Sequence, residues 1–337
     1  MDETPLALVE ARMEQLCQQD PLGAVVWEHV SAGGKRIRAR LAMQSVAALG
    51  GDALQALSWG VACELLHNAS LIHDDIQDGD RYRRGRPAIW ARYGMAQAIN
   101  AGDLCIALAY QAIESMPVSE SLCWALTKAV TRRSRSMVCG QADEFRLLLD
   151  GAPTWEAYDK AVSGKTSALF SLPIEGAALI AGRSAQEAQQ LANCCHPFGL
   201  LFQIQDDVLD LYGNNGRDVP GSDLAQPGKA SALVVEHLRL HPDERAGLLA
   251  VLAASRHQTQ PDAIARVIAD FSQRGALLAV WQRIDAIRQA LDDSAELRQE
   301  PALHALLQTF VDKVLQPILH TRQPQAAAAV GKVCKTA

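Results

Sequence analysis

Residues 65–87 read LLHNASLIHDDIQDGDRYRRGRP, from Leu65 to Pro87. Leu65, Leu66, Ala69, Leu71 and Ile72 precede three acids at DDxxD spacing, Asp74, Asp75 and Asp78. Such an apolar run suits a helix that is largely buried. On that helix Asp74 and Asp78 are i,i+4 neighbours about 5–6 Å apart, so two carboxylates enter one volume. Unpaired carboxylates this close raise each other's pKa unless a cation lies between them. The spacing therefore predicts a divalent ion.

The ion should be hard, because the cluster offers carboxylate oxygens and no thiolate; Mg²⁺ is typically held by one or two carboxylates together with phosphate oxygens. Asp80, Arg81, Arg83, Arg84 and Arg86 follow directly. Guanidinium forks match phosphate oxygens, so acids for metal beside arginines for phosphate predict a diphosphate site. A calcium loop starting at Asp74 does not fit, since Ile76 stands where Asp or Asn is needed and Gly85 where the bidentate Glu should be. A solvated helix end with i,i+4 ion pairs would also explain one such motif. A second copy weighs against it: Gln203-Ile204-Gln205-Asp206-Asp207-Val208-Leu209-Asp210 repeats the spacing after Phe198, Leu200, Leu201 and Phe202. Two such helices facing each other would clamp several metal ions around one diphosphate.

The rest of the chain narrows the class. A formal net charge of -6 argues against nucleic-acid binding through an overall basic surface. The start, MDETPLALVEARMEQL, is acidic and amphipathic and lacks the basic and apolar regions of a signal peptide. Nowhere does an apolar run approach the roughly 18 residues of a membrane span. The cysteines show no CxxC spacing and Cys194 and Cys195 are adjacent, which favours neither a disulfide framework nor zinc and fits a reducing, cytoplasmic compartment.

Apolar positions recur at helical spacing over Ala53 to Gln77, Ser119 to Leu149, Lys165 to Ala181, Ala185 to Tyr212, Pro261 to Gln289 and Pro301 to His320, among other segments. No useful length alternates with period two. The expected fold class is all-α, a single domain over residues 1–320, with a disordered C-terminal tail at 321–337. Arg132, Arg133 and Arg135 read as a solvated helix face. Lys35 and Arg38 follow Gly33-Gly34 at a helix start, which suits either a solvated basic turn or an anion site. His67 lies two turns before Asp74 on the same face, where a hydrogen-bonded core histidine is the ordinary reading.

These blocks, in this order, resemble the trans-type prenyl diphosphate synthases, which make farnesyl, geranylgeranyl and longer polyprenyl diphosphates. The match rests on Gly33-Gly34-Lys35-Arg36-Ile37-Arg38, the first aspartate motif with Arg83-Arg84-Gly85, Gly164-Lys165-Thr166, Phe202-Gln203 with the second motif, and Gly228-Lys229. The resemblance implies a bundle of long helices around a deep central cavity, working as a homodimer. It implies three Mg²⁺ ions per site, with Asp74, Asp75, Asp78, Asp206, Asp207 and Asp210 as the metal-binding acids. Isopentenyl diphosphate would be held by Lys35, Arg38, His67 and Arg84, and the allylic diphosphate by Arg83, Lys165, Thr166, Gln203 and Lys229. Asp74, Asp78, Arg83, Lys165, Asp206 and Lys229 would be catalytic, stabilising the departing pyrophosphate. Two positions depart from the family pattern: Glu144 stands where aspartate is usual, and Arg217 replaces a lysine in a segment with one extra residue before Gly221.

Product length should follow cavity depth. At about 1.5 Å rise per residue, Ala69 and Ser70 lie roughly 6–8 Å below Asp74, and both are small, with Leu66 as a deeper floor. The stretch His67-Asn68-Ala69-Ser70-Leu71 resembles geranylgeranyl diphosphate synthases, so a C20 product is expected, with farnesyl (C15) or C25 and longer chains as alternatives. Allylic partners would be dimethylallyl, geranyl and farnesyl diphosphates. A class I terpene cyclase and a non-catalytic binding subunit are the alternatives of another class; the second DDxxD and the Gly-Gly-Lys-x-x-Arg block favour the synthase.

Overall fold

The computed structural model is all-α apart from one short hairpin, and it describes residues 4–147, 153–213, 230–253 and 261–322. The first half comprises α1 (Thr4–Cys17), α2 (Pro21–Val30), α3 (Ile37–Ala48) and α4 (Leu57–Asp78), then the hairpin β1 (Tyr82–Arg83) and β2 (Arg86–Pro87), then α5 (Ile89–Tyr93), α6 (Met95–Glu114) and α7 (Glu120–Arg146). The second half comprises α8 (Trp155–Val162), α9 (Ala168–Ile180), α10 (Ala185–Cys194), α11 (His196–Tyr212), α12 (Ala232–Leu240), α13 (Arg245–Ala253), α14 (Pro261–Gln273), α15 (Ala276–Asp292), α16 (Ala295–Gln299) and α17 (Pro301–Leu315). No described helix is long and apolar enough to cross a membrane.

Local chemistry sets the ends of these helices. Asp20, Ser119, Thr154, Ser184 and Ser231 cap α2, α7, α8, α10 and α12 with their side-chain oxygens, and Glu187 completes a capping box with Ser184. α4 stops at Gly79, whose φ of 68° is the left-handed conformation that ends a helix, so Asp78 is its last residue.

Two expected helices are each a pair. The run Ala185 to Tyr212 breaks at Cys195, where Pro197 opens α11, and Pro261 to Gln289 breaks at Gly275, with φ 92°. The apolar pattern continues across both breaks, so periodicity alone reads through them. Arg132 and Arg133 do not form a purely solvated face either. Both reach Glu175 of α9, which is 1% exposed, and so tie α7 to α9.

Two apolar cores form. One gathers mainly α1 to α7 around Trp59, Leu65 and Leu66, with Leu172 and Ala177 of α9, and the other mainly α8 to α17 around Phe170, Phe198 and Phe271, with Leu41 of α3; Leu179 packs against both. Trp59 lies on Gly176 of α9, where a Cβ would come within 1.9 Å of the indole, and its N–H donates to the Pro173 carbonyl at 3.1 Å. That contact holds α4 against α9 and fixes the height of the aspartate motif. Thr321 and Arg322 still bond to α15, through Trp281 and Asp285; residues 323–337, most of the expected tail, lie outside the described residues.

Candidate active site

The cavity opens between α4, α7, α8 and α11. Asp74 and Asp78 stand on the α4 wall, and Asp206, Asp207 and Asp210 on the α11 wall. Arg38, His67, Arg83, Lys165, Thr166 and Gln203 line the same space, together with Asp80 and Glu144. Acids of both aspartate motifs thus line one volume, together with the basic side chains Arg38, Arg83 and Lys165.

The second acid of each motif is engaged by the protein. Asp75 is 1% exposed and is absent from the cavity lining; Arg83 donates to its Oδ1 through Nε at 2.8 Å and Nη2 at 2.5 Å. Burial outweighs the arginine and pushes the Asp75 carboxyl up to about 6. Asp207 accepts from Gln203 Nε2 at 3.0 Å, from the Tyr158 hydroxyl at 2.7 Å and from the Ala232 N–H at 2.7 Å. Its pKa is likewise raised by burial, to about 7. These bonds fix the rotation of α4 and α11 and turn the i,i+4 pairs Asp74/Asp78 and Asp206/Asp210 toward the cavity.

Carboxylates in pairs suit Mg²⁺, which binds through one or two of them and takes its remaining ligands from phosphate and water. Among the described residues no group of three or more Asp, Glu, His or Cys side chains is close enough to hold a metal ion by itself. The donor set is all oxygen and lies on both walls, so the residues fit such an ion.

Lys165 is not at a helix start. It sits in a wide π-type turn, Ser163–Ser167, inserted between α8 and α9. Such turns put an extra residue into a helix and often mark functional sites. Gly140 of α7 makes room for it, because a Cβ there would lie 2.2 Å from the Lys165 nitrogen. Lys165 Nζ donates to Glu144 at 2.6 Å and lies 3.8 Å from Asp74. The longer acid at 144 therefore keeps a bond to the lysine. Thr166 donates to the Gln203 side-chain oxygen at 2.9 Å, and Gln203 in turn orients Asp207.

At the other end, Arg38 is 7% exposed and lies 4.6 Å over the Phe170 ring. Burial lowers its pKa to about 10. His67 is half-buried with its Nδ1 unbonded, and burial, then Arg38, Arg84 and Arg83, hold it neutral, well below the usual histidine range. Lys35 is exposed in the loop before α3 and lies off the cavity wall. Arg84 adopts a left-handed φ of 53°, bonds to the Gly33 carbonyl and lies over Gly34, where a Cβ would come within 3.0 Å of its guanidinium. His29 of α2 is a neighbour that sequence reading missed. It is 7% exposed, and burial, followed by Arg84, Arg83 and Arg36, depresses its pKa to about 3. Its only sequence signal is closeness to the double glycine.

Of the three expected ruler residues, Ser70 lines the cavity, next to Leu71, Leu169 and Phe202. Ala69 and Leu66 are instead closed into the first core, at 1% and 0% exposure. Lys229, with Arg217, lies outside the described residues.

An all-α fold that sets paired acids against cations across one cavity is the frame of a trans-prenyltransferase, and comparison with known proteins agrees. A family model described as polyprenyl synthetase matches residues 19–271, and the chain belongs to that family. It is 37% identical over 288 residues to a short chain isoprenyl diphosphate synthase of Methanothermobacter thermautotrophicus, covering 83% of this chain and 86% of the relative. It is 33% identical to a geranylgeranyl diphosphate synthase of Mycobacterium tuberculosis, over 82% of this chain and 79% of that one. A crystal structure of a geranylgeranyl pyrophosphate synthase superposes with a TM-score of 0.84 at 23% identity, over 94% of this chain and 99% of that one, a likeness of fold. The protein is an enzyme, a trans-prenyltransferase of isoprenoid biosynthesis acting on isoprenyl diphosphates.

Proposed function

We propose that the enzyme condenses isopentenyl diphosphate head-to-tail with allylic diphosphates and releases geranylgeranyl diphosphate, C20, as its main product. The observation that carries this reading is the placement of Asp74/Asp78 and Asp206/Asp210 on facing walls, with Arg38 and His67 in the same cavity. Asp74, Asp78, Asp206 and Asp210 would hold Mg²⁺; Asp75 would support them from behind the wall, and Asp207, which also lines the cavity, from beside Asp206. Bound Mg²⁺ supplies positive charge to the allylic diphosphate.

Arg83, Lys165 and Lys229 would stabilise the diphosphate as its C–O bond breaks and it leaves with the electron pair. Thr166 and Gln203 orient it. Arg38, His67, Lys35 and Arg84 would hold isopentenyl diphosphate, whose double bond attacks the allylic cation and forms the new C–C bond. A proton then passes to the released diphosphate, and an alkene five carbons longer remains. Positioning and exclusion of water from the cation account for the catalysis, and the apolar wall of Leu71, Leu169 and Phe202 serves the second purpose.

The homodimer reading is supported by α6 and α7, which pack together and leave Met95, Ile99, Trp124 and Val138 exposed. Large exposed apolar side chains of this kind mark interaction surfaces. A single domain over residues 1–320 fits the contact of Leu179 with both cores. A cytoplasmic setting fits the described cysteines, all of which are free thiols.

The test is product length after incubation with Mg²⁺, isopentenyl diphosphate and each of dimethylallyl, geranyl and farnesyl diphosphates. Products extracted and separated by chromatography should converge on C20 from all three primers. A dominant C15 or C25 and longer product would remove the chain-length claim and keep the chemistry; cyclisation of an allylic diphosphate without isopentenyl diphosphate would remove the synthase reading.

A further inference from the structure

Glu64 is a buried carboxylate that the reaction scheme does not use. It lies on α4, 2% exposed, one turn before His67. Its Oε1 accepts the backbone N–H of Arg38 at 2.9 Å and of Ala39 at 3.1 Å. Those two groups belong to the first turn of α3, where helical N–H groups have no partner within the helix. The residue that should cap α3, Arg36, is in the left-handed conformation and offers no side-chain cap; its guanidinium bonds to Glu10 and the Val30 carbonyl instead. Glu64 therefore caps a helix other than its own, through residues 25 and 26 positions away in sequence.

The surroundings show a close junction. One turn back along α4, Gly60 lets the backbones of α3 and α4 meet, since a Cβ there would sit 3.2 Å from Ala39 Cα. The Asn68 side chain donates to the Glu64 carbonyl at 2.8 Å and stiffens this stretch of α4. The carboxylate is also a negative charge felt by both Arg38 and Arg84, where it opposes the repulsion between neighbouring arginines. Helix α4 carries His67 and Asp74, and the start of α3 carries Arg38 and follows Lys35. One carboxylate thus ties Arg38 of α3 to the helix that carries His67, two side chains that line the cavity.

We propose that Glu64 is a positioning residue for the homoallylic substrate: by holding the first turn of α3 against α4, it sets Arg38 and the Gly33-Gly34-Lys35 loop at the distance from His67 that one diphosphate requires. The inference rests on the assignment of Arg38 and His67 to isopentenyl diphosphate. It predicts a larger effect on isopentenyl diphosphate than on the allylic substrate: Asp74 and Asp78 share α4 with Glu64, but they lie ten and fourteen residues further along it, and Lys165, Thr166 and Gln203 lie on other elements.

The experiment is steady-state kinetics with the full chain, varying each substrate against a saturating partner, for Glu64→Ala, Glu64→Asp, Glu64→Gln and Arg38→Ala. Glu64→Ala and Glu64→Asp, the second a folding-safe variant that retains charge and shortens reach, should raise the KM for isopentenyl diphosphate by about tenfold or more while the allylic KM stays within about twofold. Glu64→Gln keeps an oxygen that can accept both N–H groups and should recover most of the lost affinity. Equal changes in both KM values, no change in either, or a Gln variant as impaired as Ala would overturn the proposal. Arg38→Ala separates the two claims: if it leaves the isopentenyl KM unchanged, the subsite assignment fails; if it raises that KM while Glu64→Ala does not, Glu64 alone is misassigned.

Discussion

The Arg83 guanidinium closes on the Asp75 carboxylate through two hydrogen bonds to one oxygen, and Asp75 is buried behind the wall that Asp74 and Asp78 present. Breaking such a pair by removing one partner leaves an uncompensated buried charge. Arg83→Ala should therefore lower unfolding free energy by about 2–3 kcal/mol, and adding Asp75→Asn should recover part of that loss. Chemical denaturation of the two single variants and the double variant measures the coupling. Additive losses would remove the structural role given to the pair.

Much of this site was legible in the sequence, and the exceptions have physical reasons. The spacing of Asp74 and Asp78, repeated at Asp206 and Asp210, is a helical periodicity and survives folding unchanged. Asp75 and Asp207 occupy the same motifs but sit about 100° around the helix from the first acid, which brings both against protein donors and takes Asp75, though not Asp207, out of the cavity lining. Spacing patterns identify the motif and do not separate ligand from support. The π-type turn at Lys165 was hidden because Gly164 there resembles an ordinary helix start. It exists because Gly140 and Gly164 let two backbones meet, a contact between residues 24 positions apart. Glu64 and His29 were overlooked for a related reason. Glu64 caps a helix other than its own, and the arginines that depress His29 lie outside α2.

His29 gives the fold an acid-sensitive step. Burial, followed by Arg84, Arg83 and Arg36, depresses its pKa from the ordinary 6.5 to about 3 in the folded chain. Between those values the unfolded chain binds the extra proton, so stability falls as pH falls, by up to about 1.4 kcal/mol per pH unit from this group. His67 acts in the same direction. Replacing His29 by glutamine should flatten the slope of unfolding free energy between about pH 6 and about pH 4 without abolishing it. An unchanged slope would mean that His29 takes up its proton in the folded state.

The ruler on α4 gives a different kind of prediction. Ser70 faces the cavity and Ala69 faces the core. Ser70→Phe should shift the main product toward C15, because the ring would stand in the space the tail enters. Ala69→Phe should act less on chain length and cost about 1–3 kcal/mol through overpacking. Chromatography of the products beside thermal melts distinguishes the two. Shortening by Ala69→Phe alone would place the growing chain between α4 and α6 instead of along Leu71 and Leu169.

The central claim is that the two facing aspartate pairs form one catalytic clamp, and the most direct measurement is turnover of Asp206→Asn, with Mg²⁺, isopentenyl diphosphate and farnesyl diphosphate saturating. Asp206 lies on the wall opposite Asp74. Its loss should lower kcat by about a hundredfold or more, with unfolding free energy within about 0.5 kcal/mol of the parent. A folded Asp206→Asn enzyme that elongates within a few-fold of the parent rate would contradict the account.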